Sequence, residues 1–188
     1  MNRWEPDAGG RLYLAAMDLY AEQGFEQTTV TEIAERAGVT ERTFFRYFAD
    51  KREVFFRGQD EFRALFVSPI QSSPPEANPF DAVLASLQAV AQYLEPRRPS
   101  SQKRQSVLDA TAALQERELT KFDQLSSAMS DALRERGLAE PVASLAAGWG
   151  MSLFRVAFLR WVSAENSMTF EQIIAELRDA LKAQLNAS

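Results

Sequence analysis

The chain has 188 residues, 46% of them hydrophobic, enough to bury a sizeable core in one large domain or in a small domain joined to a larger one. It contains no cysteine and no histidine, which excludes disulfides, thiolate nucleophiles, zinc–thiolate centres, histidine bases and histidine metal ligands. Formal net charge is −5 and residues 1–57 carry 8 Lys/Arg against 10 Asp/Glu, yet from Arg36 to Arg57 six basic residues stand against three acidic ones. A local basic face on an acidic protein can bind a polyanion specifically while limiting non-specific adsorption. Residues 1–10 lack an apolar core, so no secretory signal is expected and a cytoplasmic location is.

Taken in order, Asp7 can cap a first helix over residues 8–23, with Leu12, Ala16 and Leu19 as its buried stripe and Gly24 as its stop. This helix either only completes a three-helix core or also touches a phosphate with its N-terminus. Thr29 and Glu32 then form an S/T-x-x-E capping box. Val30, Ile33, Ala34 and Ala37 follow at helical spacing and give one apolar face. Gly38 falls where a helix ends in a left-handed residue. Thr40 can cap a second short helix, in which Phe44 and Phe48 share a face. Asp50 and Glu53 make a further capping pair that starts another helix at Lys51. Helix, glycine turn, helix is the geometry of a helix-turn-helix, whose second helix can lie in a DNA major groove.

From Lys51 the pattern predicts one helix to about Val67, with Val54, Phe55, Phe62 and Leu65 as its apolar residues. Residues 68–79, rich in proline and serine, read as a loop that could cover a pocket mouth. Asn78 and Pro79 restart the chain as cap and first helical residue, and Phe80, Val83, Leu84, Leu87, Ala91 and Leu94 make the next apolar face. Glu95-Pro96 closes that helix, with a polar loop to about Ser100. Residues 101–137 read as helix with a break near Leu114 and a stop at Gly137. Residues 142–162 are apolar nearly all round and long enough to cross a membrane, but Arg155 and Arg160 in the second half favour a helix buried on several sides. No membrane partner is expected. A last helix from Thr169 sets Phe170, Ile173, Ile174, Leu177, Leu181 and Leu185 on one stripe. No period-two alternation is sustained, so the chain reads as all-α: a three-helix helix-turn-helix domain over 1–52 and a larger helical domain over 53–188.

With Phe44 and Phe48 inward, Arg42, Phe45 and Arg46 project from the opposite face of the second short helix. Arginine suits the O6 and N7 acceptors of guanine, and an aromatic edge can meet a thymine methyl. Hydroxyls and helix N-terminal amides at Thr29, Thr40 and Thr43 suit phosphate oxygens. From the helix signals alone, a solvated face that happens to hold two arginines reads as well. Residues 11–57 resemble the N-terminal domain of TetR-family transcriptional regulators. The resemblance runs through Leu12, Ala16, Leu19, Tyr20, Gly24 and Phe25, then Thr29, Val30, Ile33, Ala34, Ala37, Gly38, Val39, Thr43, Phe44, Tyr47, Phe48 and Lys51. It implies operator binding by a homodimer whose remaining residues dimerise and usually bind a small ligand, and a phosphate contact at Lys51. The family often has tyrosine where this chain has Phe45, so one phosphate contact is lost. Thr31 and Tyr47 complete the candidate DNA contacts.

Two groups in the larger domain carry further expectations. Trp149, Leu153, Ile173, Ile174, Leu177 and Leu181 are candidates for a dimer interface built from the last two helices, or belong to a purely intramolecular core. The resemblance implies the dimer. Leu84, Leu87, Phe122, Met129, Met151, Phe154 and Phe158, with Trp149 again, could line an apolar, shape-tolerant ligand pocket, with Gln88, Thr111 and Arg155 to orient its occupant, or could be plain core. No metal cluster, base or phosphate loop accompanies the carboxylates, so neither an enzyme nor a cofactor is expected. The chain therefore reads as a ligand-responsive repressor released from operator DNA by a small apolar or amphipathic molecule. The alternative is a DNA-binding dimer whose larger domain binds a protein instead.

Overall fold

The structure, a computed structural model, describes residues 7–187. The first six residues, part of the stretch read for a secretory signal, lie outside the described residues. Helices run over Ala8–Gln23 (α1), Val30–Arg36 (α2), Glu41–Tyr47 (α3), Lys51–Phe55 (α4), Gln59–Ser72 (α5), Pro79–Leu94 (α6), Arg98–Asp109 (α7), Ala112–Glu135 (α8), Val142–Val162 (α9) and Phe170–Asn186 (α10), with a 3-10 turn at Glu95–Arg97. No strand occurs among the described residues.

The capping residues act as their sequence demands. Asp7 accepts from the Gly10 amide at 2.7 Å and opens α1. Thr29 and Glu32 close a reciprocal capping box at α2, as Thr169 and Gln172 do at α10. Thr40 caps α3 and Asp50 caps α4. Gly38 joins α2 to α3 with φ +67°, a conformation in which a side chain would be strained.

The chain packs as two compact units: Met1–Gln59 with Lys103–Glu116, and Asp60–Gln102 with Arg117–Ser188. In the first, Leu12, Ile33, Phe44, Val54 and Phe55 share one core with Val107, Leu108 and Leu114 from the returning segment. Lys103 pairs with Asp18, and the Arg104 guanidinium lies 4.4 Å from the Phe55 ring centre. A linear division at residue 52 has no place for this return. In the second unit α10 and α6 pack on α9, around Phe66, Leu87, Met129, Phe154, Trp161 and Phe170. Gly150 is required there, because an added Cβ would collide with Val83 of α6. α9 is long and apolar enough to cross a membrane, but Ala143, Ala146, Ala147, Phe154, Ala157 and Trp161 are all buried within this fold.

Four expectations change. The single helix expected from Lys51 to Val67 is two, because Gly58 at φ +82° breaks the chain between α4 and α5. The loop expected at 68–79 starts only after Ser72. Pro69 sits inside α5, which continues because Phe66 and Ile70 are both fully buried. No polar loop reaches Ser100: the 3-10 turn leads straight into α7, where Arg98 donates to the carbonyls of Ser163 at 3.1 Å and Asn166 at 2.5 Å beyond α9. The break expected near Leu114 lies at Ala110–Thr111, and Leu114 is buried within α8.

Candidate nucleic-acid interface

α2, the Gly38 turn and α3 form a helix-turn-helix closed by Val39 N–H donating to the Ala34 carbonyl at 2.9 Å. Ile33, Ala34, Ala37 and Phe44 turn into the core, with the Phe44 and Phe48 rings 5.8 Å apart. Arg11 of α1 donates to the Ala37 carbonyl at 3.1 Å and ties the end of α2 to the first helix. On the opposite side Arg42, Phe45, Arg46 and Tyr47 are exposed, Phe45 to 55%. The Phe45 ring meets the buried Phe44 ring edge-on, with centres 5.3 Å apart, and leaves its outer side open. Arg42, Thr43, Phe45 and Arg46 line one shallow concavity. The Arg46 guanidinium lies 5.1 Å from the Tyr47 ring centre, and Tyr47 itself rests against Gly9 of α1. The expected outward set of α3 is thus brought together on one face.

The hydroxyl-bearing candidates have partners within the domain. The Thr40 and Thr43 hydroxyls are 3.1 Å apart at the start of α3. Thr29 is held by Glu32, whose carboxyl lies below the usual carboxylate range because the Thr29 amide and hydroxyl, then Gln23, donate to it. Thr31 Oγ1 donates to Glu41 Oε1 at 2.5 Å, fastening α2 to the first residue of α3. Glu41 is missing from the sequence-level set; its place at the head of α3, next to Arg42, was the available signal. Lys51 departs most from expectation. Its ammonium turns inward and donates to the carbonyls of Phe25, Glu26 and Thr28, so the phosphate contact implied by the resemblance is not where this side chain points.

In the second unit the candidate pocket residues divide. Phe154, 2% exposed, is ringed by Phe62, Phe66, Phe122, Phe158 and Phe170 with ring centres 5.3–6.1 Å away. Leu87, Met129 and Met151 are buried beside it, and Leu84 packs on the same core half-buried. Gln88 is exposed, and Thr111 belongs to the first unit, so neither is placed among these rings. The interface candidates divide as well. Leu153, Ile173 and Ile174 are buried in the chain's own core, and Trp149 and Leu177 are half-buried against it. Leu181 is exposed, together with Leu185 of α10 and Leu145, Val156 and Leu159 of α9. Those three α9 residues share one face at helical spacing, with Gly148 and Ser152 between them.

Residues 12–57 match the family model described as bacterial regulatory proteins, tetR family. The HTH-type transcriptional regulator TcmR of Streptomyces glaucescens is 38% identical over 80 residues, covering 43% of this chain and 35% of TcmR. The uncharacterized HTH-type transcriptional regulator Rv2250c of Mycobacterium tuberculosis is 28% identical over 94 residues, covering 50% of this chain and 48% of that protein. The chain thus spans only about a third to a half of the length of these relatives. A crystal structure from Syntrophomonas wolfei assigned to the TetR family superposes with TM-score 0.70 at 17% identity, over 95% of this chain and 94% of the other. Thermus thermophilus FadR, a TetR-family transcriptional repressor solved in complex with lauroyl-CoA, superposes with TM-score 0.51 at 23% identity, over 90% and 91%. The fold is the one these proteins share, and the helix-turn-helix lies within the matched residues. Residues 12–57 thus match, as a helix-turn-helix domain, the type described for the tetR family of bacterial regulatory proteins.

Proposed function

We propose that the protein is a cytoplasmic, homodimeric repressor that binds operator DNA through α3 and is released by a small apolar or amphipathic ligand in its second unit. The observation that carries the DNA reading is the exposed face of α3, where Arg42, Phe45 and Arg46 stand together on a helix-turn-helix. Two arginines supply donors for guanine edges, and the open phenyl ring supplies an apolar contact for a thymine methyl. Thr29, Thr31, Thr40, Thr43 and Tyr47 flank them as candidates for phosphate or sugar contacts. Dimerisation is supported by the exposed apolar residues on α9 and α10, since a two-fold operator needs a two-fold protein. Ligand release is supported by the aromatic second unit and by the acyl-CoA bound to the Thermus thermophilus relative. A ligand that favours a dimer with a different spacing between its α3 helices would weaken operator binding.

Selection of duplexes from a random library by the full chain tests this reading. Enrichment of an inverted repeat is expected, with release of the bound duplex by lauroyl-CoA or a comparable amphipath. Enrichment of no duplex sequence would defeat the DNA reading. An inverted repeat that no such compound releases would defeat only the ligand reading and leave a protein partner for the second unit.

A further inference from the structure

Lys51 opens α4, at the edge of the helix-turn-helix, and its side chain is half-buried. The ammonium donates to three carbonyl oxygens: Phe25 at 2.8 Å, Glu26 at 3.1 Å and Thr28 at 3.0 Å. An ammonium has three protons, so its donors are matched one to one. The same nitrogen lies 4.5 Å from the centre of the buried Phe25 ring, within range of a cation–π contact. The backbone of Lys51 is held too, since the buried Tyr20 hydroxyl donates to its carbonyl at 2.6 Å. Thr28 closes the corner by donating its hydroxyl to the Gly24 carbonyl at 2.8 Å. All three acceptors of the ammonium fall in the turn that ends at Thr29, the cap of α2.

We propose that Lys51 is a positioning residue, a clamp that fixes the N-terminal end of α2 against the start of α4 and so sets the pose in which the helix pair meets DNA. This rests on the reading of residues 12–57 as the DNA-contacting domain. Three carbonyl dipoles directed at one point repel each other, and a compact cation at that point offsets the repulsion. A guanidinium, with its donors spread in a flat fork, does not match three converging acceptors. The position therefore selects lysine for shape as well as charge.

The test uses the full chain with Lys51→Met, which keeps the stem without the charge, and Lys51→Arg, which keeps the charge. Duplex binding is measured across a salt series at a temperature where circular dichroism reports each variant fully folded. Both variants are expected to bind the selected operator about tenfold more weakly through misplacement of the helix pair, with the slope of log K against log salt unchanged. Amide exchange at Thr28 and Thr29 should quicken in both. If Lys51→Met does not fold, Lys51→Gln takes its place. A slope lowered by about one unit in the uncharged variant, with affinity retained by Lys51→Arg, would make Lys51 a phosphate contact and overturn the clamp. Wild-type affinity in both folded variants would overturn it as well. If the wild-type chain binds no duplex, the DNA reading fails by itself, and the exchange rates alone decide whether the corner is clamped.

Discussion

Arg42 is exposed at the second position of α3, whereas the Arg46 guanidinium leans on the Tyr47 ring 5.1 Å away. If each reads a guanine, its loss should be selective, because a bidentate arginine–guanine pair supplies about 1–3 kcal/mol of discrimination. Arg42→Ala and Arg46→Ala are each expected to relax preference at one base per half-site, seen in binding to single-base variants of the operator. Equal loss across all variants would leave both arginines as backbone contacts. Glu32 gives a second residue-level expectation. Its carboxyl is held below the ordinary carboxylate range by the Thr29 amide and hydroxyl and by Gln23. A depressed folded pKa contributes stability above the unfolded value, about 4.3, and that contribution fades as pH falls through the folded value. Thermal unfolding followed from pH 7 to pH 3 should show this loss below about pH 4, and Glu32→Gln should show less of it. Identical pH profiles would remove Glu32 from the account.

The helices themselves were largely legible because their start and stop signals are local. Asp7, Thr29, Thr40, Asp50 and Asn78 each cap the helix expected of them. What stayed hidden depended on distant packing. Ile70 holds Pro69 inside a helix only because the second core buries it completely. Helical spacing likewise put the apolar residues of α10 on one stripe but could not say what covers each part of it. The stripe is divided along its length: Phe170, Ile173 and Ile174 are buried in the chain's own core, while Leu181 and Leu185 are open. This division separates two kinds of variant. Ile173→Ala should cost about 2–5 kcal/mol of stability, read by urea unfolding, as a buried truncation does. Leu159→Glu and Leu181→Glu, at exposed positions, should leave the fold intact and yield monomers by light scattering. A stable dimer in both would move the interface elsewhere.

At the scale of the molecule, a domain of 1–52 and a larger one after it followed from the order of helices along the chain. The return of Lys103–Glu116 to the first unit did not, since Val107, Leu108 and Leu114 read as an ordinary apolar face whichever core receives them. The same limit applied to Thr111, an expected pocket residue that this return carries into the first unit. On the DNA side the exposed residues of α3 could be named from the sequence, because the inward Phe44 and Phe48 fix the outward face. The inward turn of Lys51 could not, because its three acceptors are backbone carbonyls of a turn and leave no mark in side-chain patterns. In the proposed dimer, two copies of α3 enter successive major grooves of one operator, roughly 34–36 Å apart. Hydroxyl-radical footprinting of the full chain on the selected duplex measures this directly. Two protected clusters are expected on the same face of the duplex, centred about 10–10.5 base pairs apart, both abolished in the doubly substituted Arg42→Ala, Arg46→Ala chain. A single cluster, or protection spread evenly along the duplex and unchanged by those substitutions, would contradict that placement of the two helices.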